Sequence, residues 1–297
     1  MVDYYIGTCS WTDKTLIEEG NFYPPTAKDA ASRLWFYAQN FNTVEVDSSF
    51  YSFPAERNSL LWAERTPTTF CFNFKSFSLF TYHRTPRKAI PVFLETELPE
   101  NLKNKDSFTL PEVPLPYLKL ALQAFLSALF PLQQEEKLGY ILFQFPPWIR
   151  KSQKVLAYLA WLRVNLPPAS TLAIEFRHRS WLEEKEIEDT FSFLRKHQLS
   201  YVSVDEPSLP WTVPPVVEAT TSDLVVRFHG RNKSAWQKKK ASVWEKFGYL
   251  YSEEELKAWK EVVKKKTGSL TRAFLMFNNC FRDYAVRNAQ WMKENLD

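Results

Sequence analysis

Eight short runs rich in Val, Ile, Phe and Tyr recur along the 297 residues, and the stretches between them are long enough for helices. The runs occupy 4–10, 43–49, 70–75, 139–145, 172–177, 200–205, 224–229 and 273–279. Apolar residues spaced by three and four mark helices at 32–41, 116–130, 155–166, 187–198, 253–266 and 284–296. Ser180 with Glu183, and Ser252 with Glu255, match the capping box that satisfies orphan amides in a first helical turn. Strands and crossover helices alternating eight times in a chain of this size predict a TIM-type (β/α)8 barrel. The expectation is one domain over 1–297, with a long, proline-rich connection between strands 3 and 4 at about 85–134. A doubly wound open sheet is the rival, but its strands, buried on both faces, would carry fewer charges.

Side chains alternate between the faces of a strand, so each run can be split in two. One set, including Val44, Val46, Phe72, Phe74, Ile174, Phe176, Val202, Val204, Val226 and Phe228, suits the layer under the helices. The other holds Glu45, Asp47, Asn73, Lys75, Gln144, Glu175, Arg177, Ser203, Asp205, Arg227, His229 and Asn278. Its polar members fall toward the C-terminal ends of the strands, the end at which active sites of this fold are built.

The motifs SW at 10–11, FYP at 22–24, VEVDSSFY at 44–51, LFQFPP at 142–147, EFRHRSW at 175–181, VDEP at 204–207, RFHG at 227–230, YSEEEL at 251–256 and FNN at 277–279 run in order over nearly the whole chain. Together they resemble the YecE-like family, known as domain of unknown function 72. The resemblance implies a TIM-type barrel and brings no established reaction. Asp47 and Ser49 stand where the family is expected to have Asn and Thr, which adds a negative charge at the mouth. His83 sits in TYHRTP, where a Thr-His pair would be usual.

Several chemistries fit these residues. Glu45, Asp47, Glu175, Asp205 and His229 form the catalytic set, the acids as general acid and base, unless they serve as structural pairs such as Glu175 with Arg227. Lys75, Arg177, Arg227, His229 and Arg231 can cradle an anion or pair internally. Trp11, Tyr51, Lys75, Gln144, Arg177, Arg227 and Asn278 are the candidate substrate contacts. Phe50, Trp181 and Trp211 are further loop aromatics that can ring the mouth, Trp181 equally a staple behind its Ser180 cap.

No bound metal or other cofactor is expected. Barrel nucleases of the apurinic endonuclease kind, to which the family's fold is similar, hold clustered zinc through many ligands, and this chain has four histidines. A magnesium or manganese ion on His229 with Glu45, Asp47, Glu175 or Asp205 is the weaker alternative. Cys9 reads as a buried thiol rather than a nucleophile. Neither a G-x-G-x-x-G loop nor a G-x-S-x-G elbow occurs.

Three scattered cysteines, without a signal-like N-terminus or an apolar run of twenty residues, predict a cytoplasmic protein without membrane association. A net charge of +4 does not by itself argue for nucleic acid, and the basic runs at 236–241 and 262–268 read as solvated faces. The leading expectation is an enzyme, a hydrolase or lyase, acting on a small polar or anionic ligand, a phosphoester or glycosyl compound. Nucleic-acid processing and non-catalytic ligand sensing are the alternatives, and the sequence leaves the oligomeric state open.

Overall fold

In the computed structural model, which describes residues 2–238, 240–266, 268 and 270–296, eight parallel strands form a closed barrel. In chain order they are β1 Asp3–Cys9, β2 Thr43–Val46, β3 Cys71–Lys75, β4 Leu138–Gln144, β5 Thr171–Glu175, β6 Ser200–Asp205, β7 Asp223–Phe228 and β8 Arg272–Phe277. Each pairs with the next, and β8 closes on β1. All eight start within a residue of the apolar runs and end up to three residues short of them, because β-branched and aromatic side chains supply both faces of a pleated wall while the polar run ends pass into the loops. The fold is a TIM-type barrel.

Register decides which side chains face inward. Cys9 is paired with Glu45, Glu45 with Asn73, and Gln144 with Glu175, so these neighbours share the inner face. Phe72 and Phe74 lie outside against Trp62, and Phe176 stacks on Trp181. On β6 the register reverses the expectation. Val204 is paired with Arg227 and points inward, whereas Asp205 is paired with Phe228 and points toward the helices. Barrel interiors are themselves filled by Val and Leu, so an alternation of Val with Ser and Asp fits either orientation.

Helices follow most strands. Ala30–Asn40, Glu56–Glu64, Leu115–Gln134, Gln153–Asn165, Ile187–Lys196, Glu253–Lys266 and Tyr284–Leu296 form the outer ring. Strand–helix alternation breaks once, since residues 206–222 link β6 to β7 without a helix. Pro207, Pro210, Pro214 and Pro215 remove the backbone donors a helix would need there. The Ser252–Glu255 capping box forms, with Ser252 N–H donating to Glu255 Oε2 at 2.9 Å and Glu255 N–H to Ser252 Oγ at 3.3 Å. Ser180 makes no such box. His178 Nδ1 accepts its N–H at 3.1 Å, and the next helix starts only at Ile187.

The long connection between β3 and β4 is pinned by a two-residue antiparallel bridge, Thr85–Pro86 with Ser107–Phe108, and ends in the helix Leu115–Gln134. Contrary to the sequence reading, this helix is long and apolar enough to cross a membrane by length and composition. Here it buries Leu118, Ala121, Leu122, Phe125, Leu129 and Leu132. Lys119, Gln123 and Ser127 interrupt the run in sequence and keep its length from showing.

Candidate functional site

The inner face of the barrel converges on Arg227, which β7 carries to the C-terminal end with its side chain fully buried. A buried guanidinium needs anionic partners on several sides. Glu45 Oε1 accepts from one terminal nitrogen at 2.6 Å and Glu175 Oε2 from the other at 2.5 Å. Gln144 Oε1 lies 3.3 Å away, and Asp47 Oδ1 completes the surround at 3.9 Å. Tyr140 donates its hydroxyl to the second oxygen of Glu45 at 2.6 Å.

Glu175 is the hub of the other half. Its Oε1 accepts from Arg177 at 2.8 Å and lies 3.1 Å from His229 Nε2. Asn278 Nδ2 donates to His229 Nδ1 at 2.9 Å, so the neutral imidazole carries its proton on Nε2 and gives it to Glu175. Arg177 continues to Glu206 at 2.8 Å and lies under the ring of Trp236, 5.1 Å from its centroid.

Environment separates the acids. Burial pushes the Glu45 carboxyl up to about 7, Arg227 opposing and Asp47 reinforcing the rise. Burial likewise lifts Glu206 to about 7 against the pull of Arg177. At Glu175 burial acts upward too, but Arg227 and the other donors outweigh it and hold the carboxyl well below its usual range. Burial, with Arg177 nearby, takes His229 down to about 3 and leaves it neutral. The Cys9 thiol is raised well above its ordinary value by burial and by Glu45.

The candidates thus divide. Glu45, Asp47, Gln144, Glu175, Arg177, Arg227, His229 and Asn278 form one network. Lys75 lies at its rim, 4.7 Å above the Phe50 ring, and Tyr51 is 70% exposed beside Phe50. Two candidates lie elsewhere. Asp205, on the outer face, takes Arg231 at 2.8 and 2.6 Å together with the Trp259 indole. Trp11 is buried against Trp62 and Phe72, donating to the Ala30 carbonyl, because Ser10 at φ 88° turns the chain away from the mouth.

Trp181 is also a packing residue, fully buried, with its indole donating to Ile149. Glu206 is the residue sequence reasoning missed. It carries the inward parity of Val204 two positions on, a signal hidden by the reversed reading of β6. Cys9, Glu45 and Asp47 place one ligand atom each within 4.8 Å of one another. Arg227 already supplies the cation there and the thiol holds its proton, so this set does not fit a divalent ion. His229 has both nitrogens engaged, both oxygens of Glu175 are taken by Arg227, Arg177 and His229, and Asp205 faces away, which removes the other ligands named for one.

The match to known proteins agrees with this architecture over its whole length. The family model described as a protein of unknown function, DUF72, matches residues 5–297. The chain belongs to the DUF72 family. The UPF0759 protein YunF of Bacillus subtilis is 33% identical over 298 residues, covering 99% of this chain and 94% of that protein. The crystal structure of a DUF72 family protein from Thermotoga maritima superposes with a TM-score of 0.77 at 31% identity, covering 99% of both chains. One from Enterococcus faecalis gives 0.75 at 24% identity, covering 100% of this chain and 98% of that one, a likeness of fold.

Proposed function

We propose that this DUF72 barrel is an enzyme that uses Glu45 as a general acid and base on a small anionic substrate, a phosphoester or glycosyl compound. The observation that supports it is the position of Glu45, a buried carboxyl at the mouth whose proton equilibrium lies near neutral pH. A group poised there can both give and take a proton at working pH. Glu175 stays ionised and fixes Arg227 and Arg177. His229, with both nitrogens occupied, is a positioning residue for Glu175. Arg227 and Tyr140 hold Glu45 in one orientation and lend it charge compensation as its proton leaves.

The anion cradle is narrower than the count of basic residues suggests. Arg177 and Arg231 are each tied to two carboxylates and Arg227 to three. Lys75 makes no ion pair among the described residues and is the cation left for a ligand. A nucleic-acid reading needs uncommitted basic groups extending from the mouth, and these pairings do not favour it. Of the basic runs, Lys239 and Thr267 lie outside the described residues, while Lys238 pairs with Glu245 and Lys266 with Glu218.

The test needs no known substrate. A small-molecule cell extract is incubated with wild type and with Glu45→Gln, and masses consumed or formed are compared. Compounds turned over by wild type and untouched by the variant are expected. Identical profiles from two folded proteins would sink the reading.

A further inference from the structure

Three successive strand-end loops bring one aromatic wall to the edge of the mouth. After β2, Phe50 and Tyr51 meet at 5.1 Å between ring centroids. His83, in the segment after β3, contacts Phe50 edge-on at 4.9 Å, and Trp148, after β4, contacts His83 at 5.9 Å. Ser49 Oγ lies 2.6 Å from the Lys75 carbonyl oxygen and holds the first two loops together. Tyr51 and Trp148 are 70% and 63% exposed, and the Trp148 indole N–H has no partner among the described residues. Large aromatic faces kept in water at a mouth cost hydrophobic stabilisation that packing would otherwise recover.

Polar groups beside the wall limit what can lie on it. Lys75 Nζ, without an ion-pair partner among the described residues, sits over Phe50 at the wall's inner edge. Asp47, also within the loop after β2, turns Oδ1 inward, 3.9 Å from Arg227, while its side chain as a whole stays 28% exposed. His83 Nδ1 is occupied by Thr81 Oγ1 at 2.9 Å, and burial with Lys75 nearby takes the ring down to about 4, so it is neutral. A neutral ring adds no second positive charge at this edge. The rim therefore offers a stacking face, one cation and one partly exposed carboxylate. We infer that it is a subsite for a monosaccharide carrying a phosphate or carboxylate substituent. The C–H face of the sugar lies on Trp148 and Tyr51, a hydroxyl donates to Asp47, and the anionic substituent meets Lys75. A nucleobase would use the same face but is read by donor–acceptor pairs along its edge, and the wall, with the Tyr51 hydroxyl, one His83 nitrogen and the Trp148 indole N–H, has no side-chain amide to supply such a pair.

The inference rests on the acid/base reading of the floor and fixes its substrate class. The full-length protein is titrated with a hexuronate, a hexose 6-phosphate, the neutral hexose and a nucleoside monophosphate, followed by calorimetry and tryptophan fluorescence. At least one anionic sugar binds saturably, and the tighter of the two identifies the substituent. Trp148→Ala, at an exposed position, weakens anionic and neutral sugars alike by about tenfold, whereas Lys75→Met weakens the anionic sugar to the level of the neutral one. Absence of saturable binding for both anionic sugars up to roughly 10 mM, a floor of about 3 kcal/mol, overturns the inference. So does tighter binding of the nucleotide, or binding that neither substitution changes. Failure here with Glu45-dependent turnover of other extract compounds leaves the enzyme reading intact. Rim-dependent sugar binding without any Glu45-dependent turnover defeats the enzyme reading alone.

Discussion

Glu45 and Glu175 touch the same guanidinium from opposite sides and yet titrate in opposite directions. Glu175 gathers Arg227, Arg177 and the His229 N–H, so its anion is over-satisfied. Glu45 has Arg227 and Tyr140 but also faces Asp47, and burial prevails. The two shifts give opposite linkage. A carboxyl whose pKa rises on folding keeps a proton that the unfolded chain has released, so stability falls as pH rises from about 4.5 to about 7. Glu175, depressed on folding, contributes stability that is present above the ordinary carboxylate range and is lost only as strong acid protonates it. Melting temperature should therefore decline between about pH 5 and pH 7.5, and Glu45→Gln and Glu206→Gln should each remove part of that decline. Differential scanning calorimetry across this range decides it. A slope equal to wild type in both variants would show that neither acid holds its proton in the folded protein.

Elements, rather than single residues, explain why Asp205 does not belong with those acids. β6 turns its Val residues inward and its Ser203 and Asp205 outward, where Asp205 binds Arg231 and the Trp259 indole. Arg231 passes the contact to Glu255, which also accepts from Tyr249 and closes the capping box of the helix Glu253–Lys266. In place of a missing helix after β6, this strap ties the strand end to the outer ring. Asp205→Asn should lower the melting temperature by roughly 2 to 5 °C, the loss of a charge-assisted bidentate pair in a chain of this size. Ligand binding should be unaffected, measured with whichever anionic sugar binds wild type. A variant of unchanged stability that no longer binds would return Asp205 to the site. The same strand shows where sequence reasoning ran out. Strand positions were legible from apolar runs, and most inward acids were legible from parity, because a charge on an apolar strand has few places to go. On β6 both faces accept Val, so parity was undetermined, and the error displaced Asp205 and concealed Glu206 together. Trp11 was misplaced for another reason, the left-handed backbone at Ser10, which a non-glycine residue gives no warning of.

At the scale of the molecule, the barrel gathers four acids, Glu45, Asp47, Glu175 and Glu206, around two guanidiniums, Arg177 and Arg227, in one mouth. Fully ionised, such a set carries an excess of two negative charges and would repel an anionic ligand. Two of the acids, however, titrate near pH 7, so the mouth can lower its negative charge by taking up protons. An arriving anion favours the protonated forms, and by linkage its affinity should rise as pH falls through neutrality. A hexuronate suits the test, because its own carboxylate stays ionised throughout. Titration calorimetry at about pH 7 in two buffers of different ionisation heat should report uptake of between about 0.3 and 1 proton per ligand bound. The Glu45→Gln, Glu206→Gln double variant should take up almost none and should lose the pH dependence of affinity. Equal heats for wild type in both buffers would mean that the ligand does not sense these two acids, and that the charge of the mouth is fixed by its ion pairs alone.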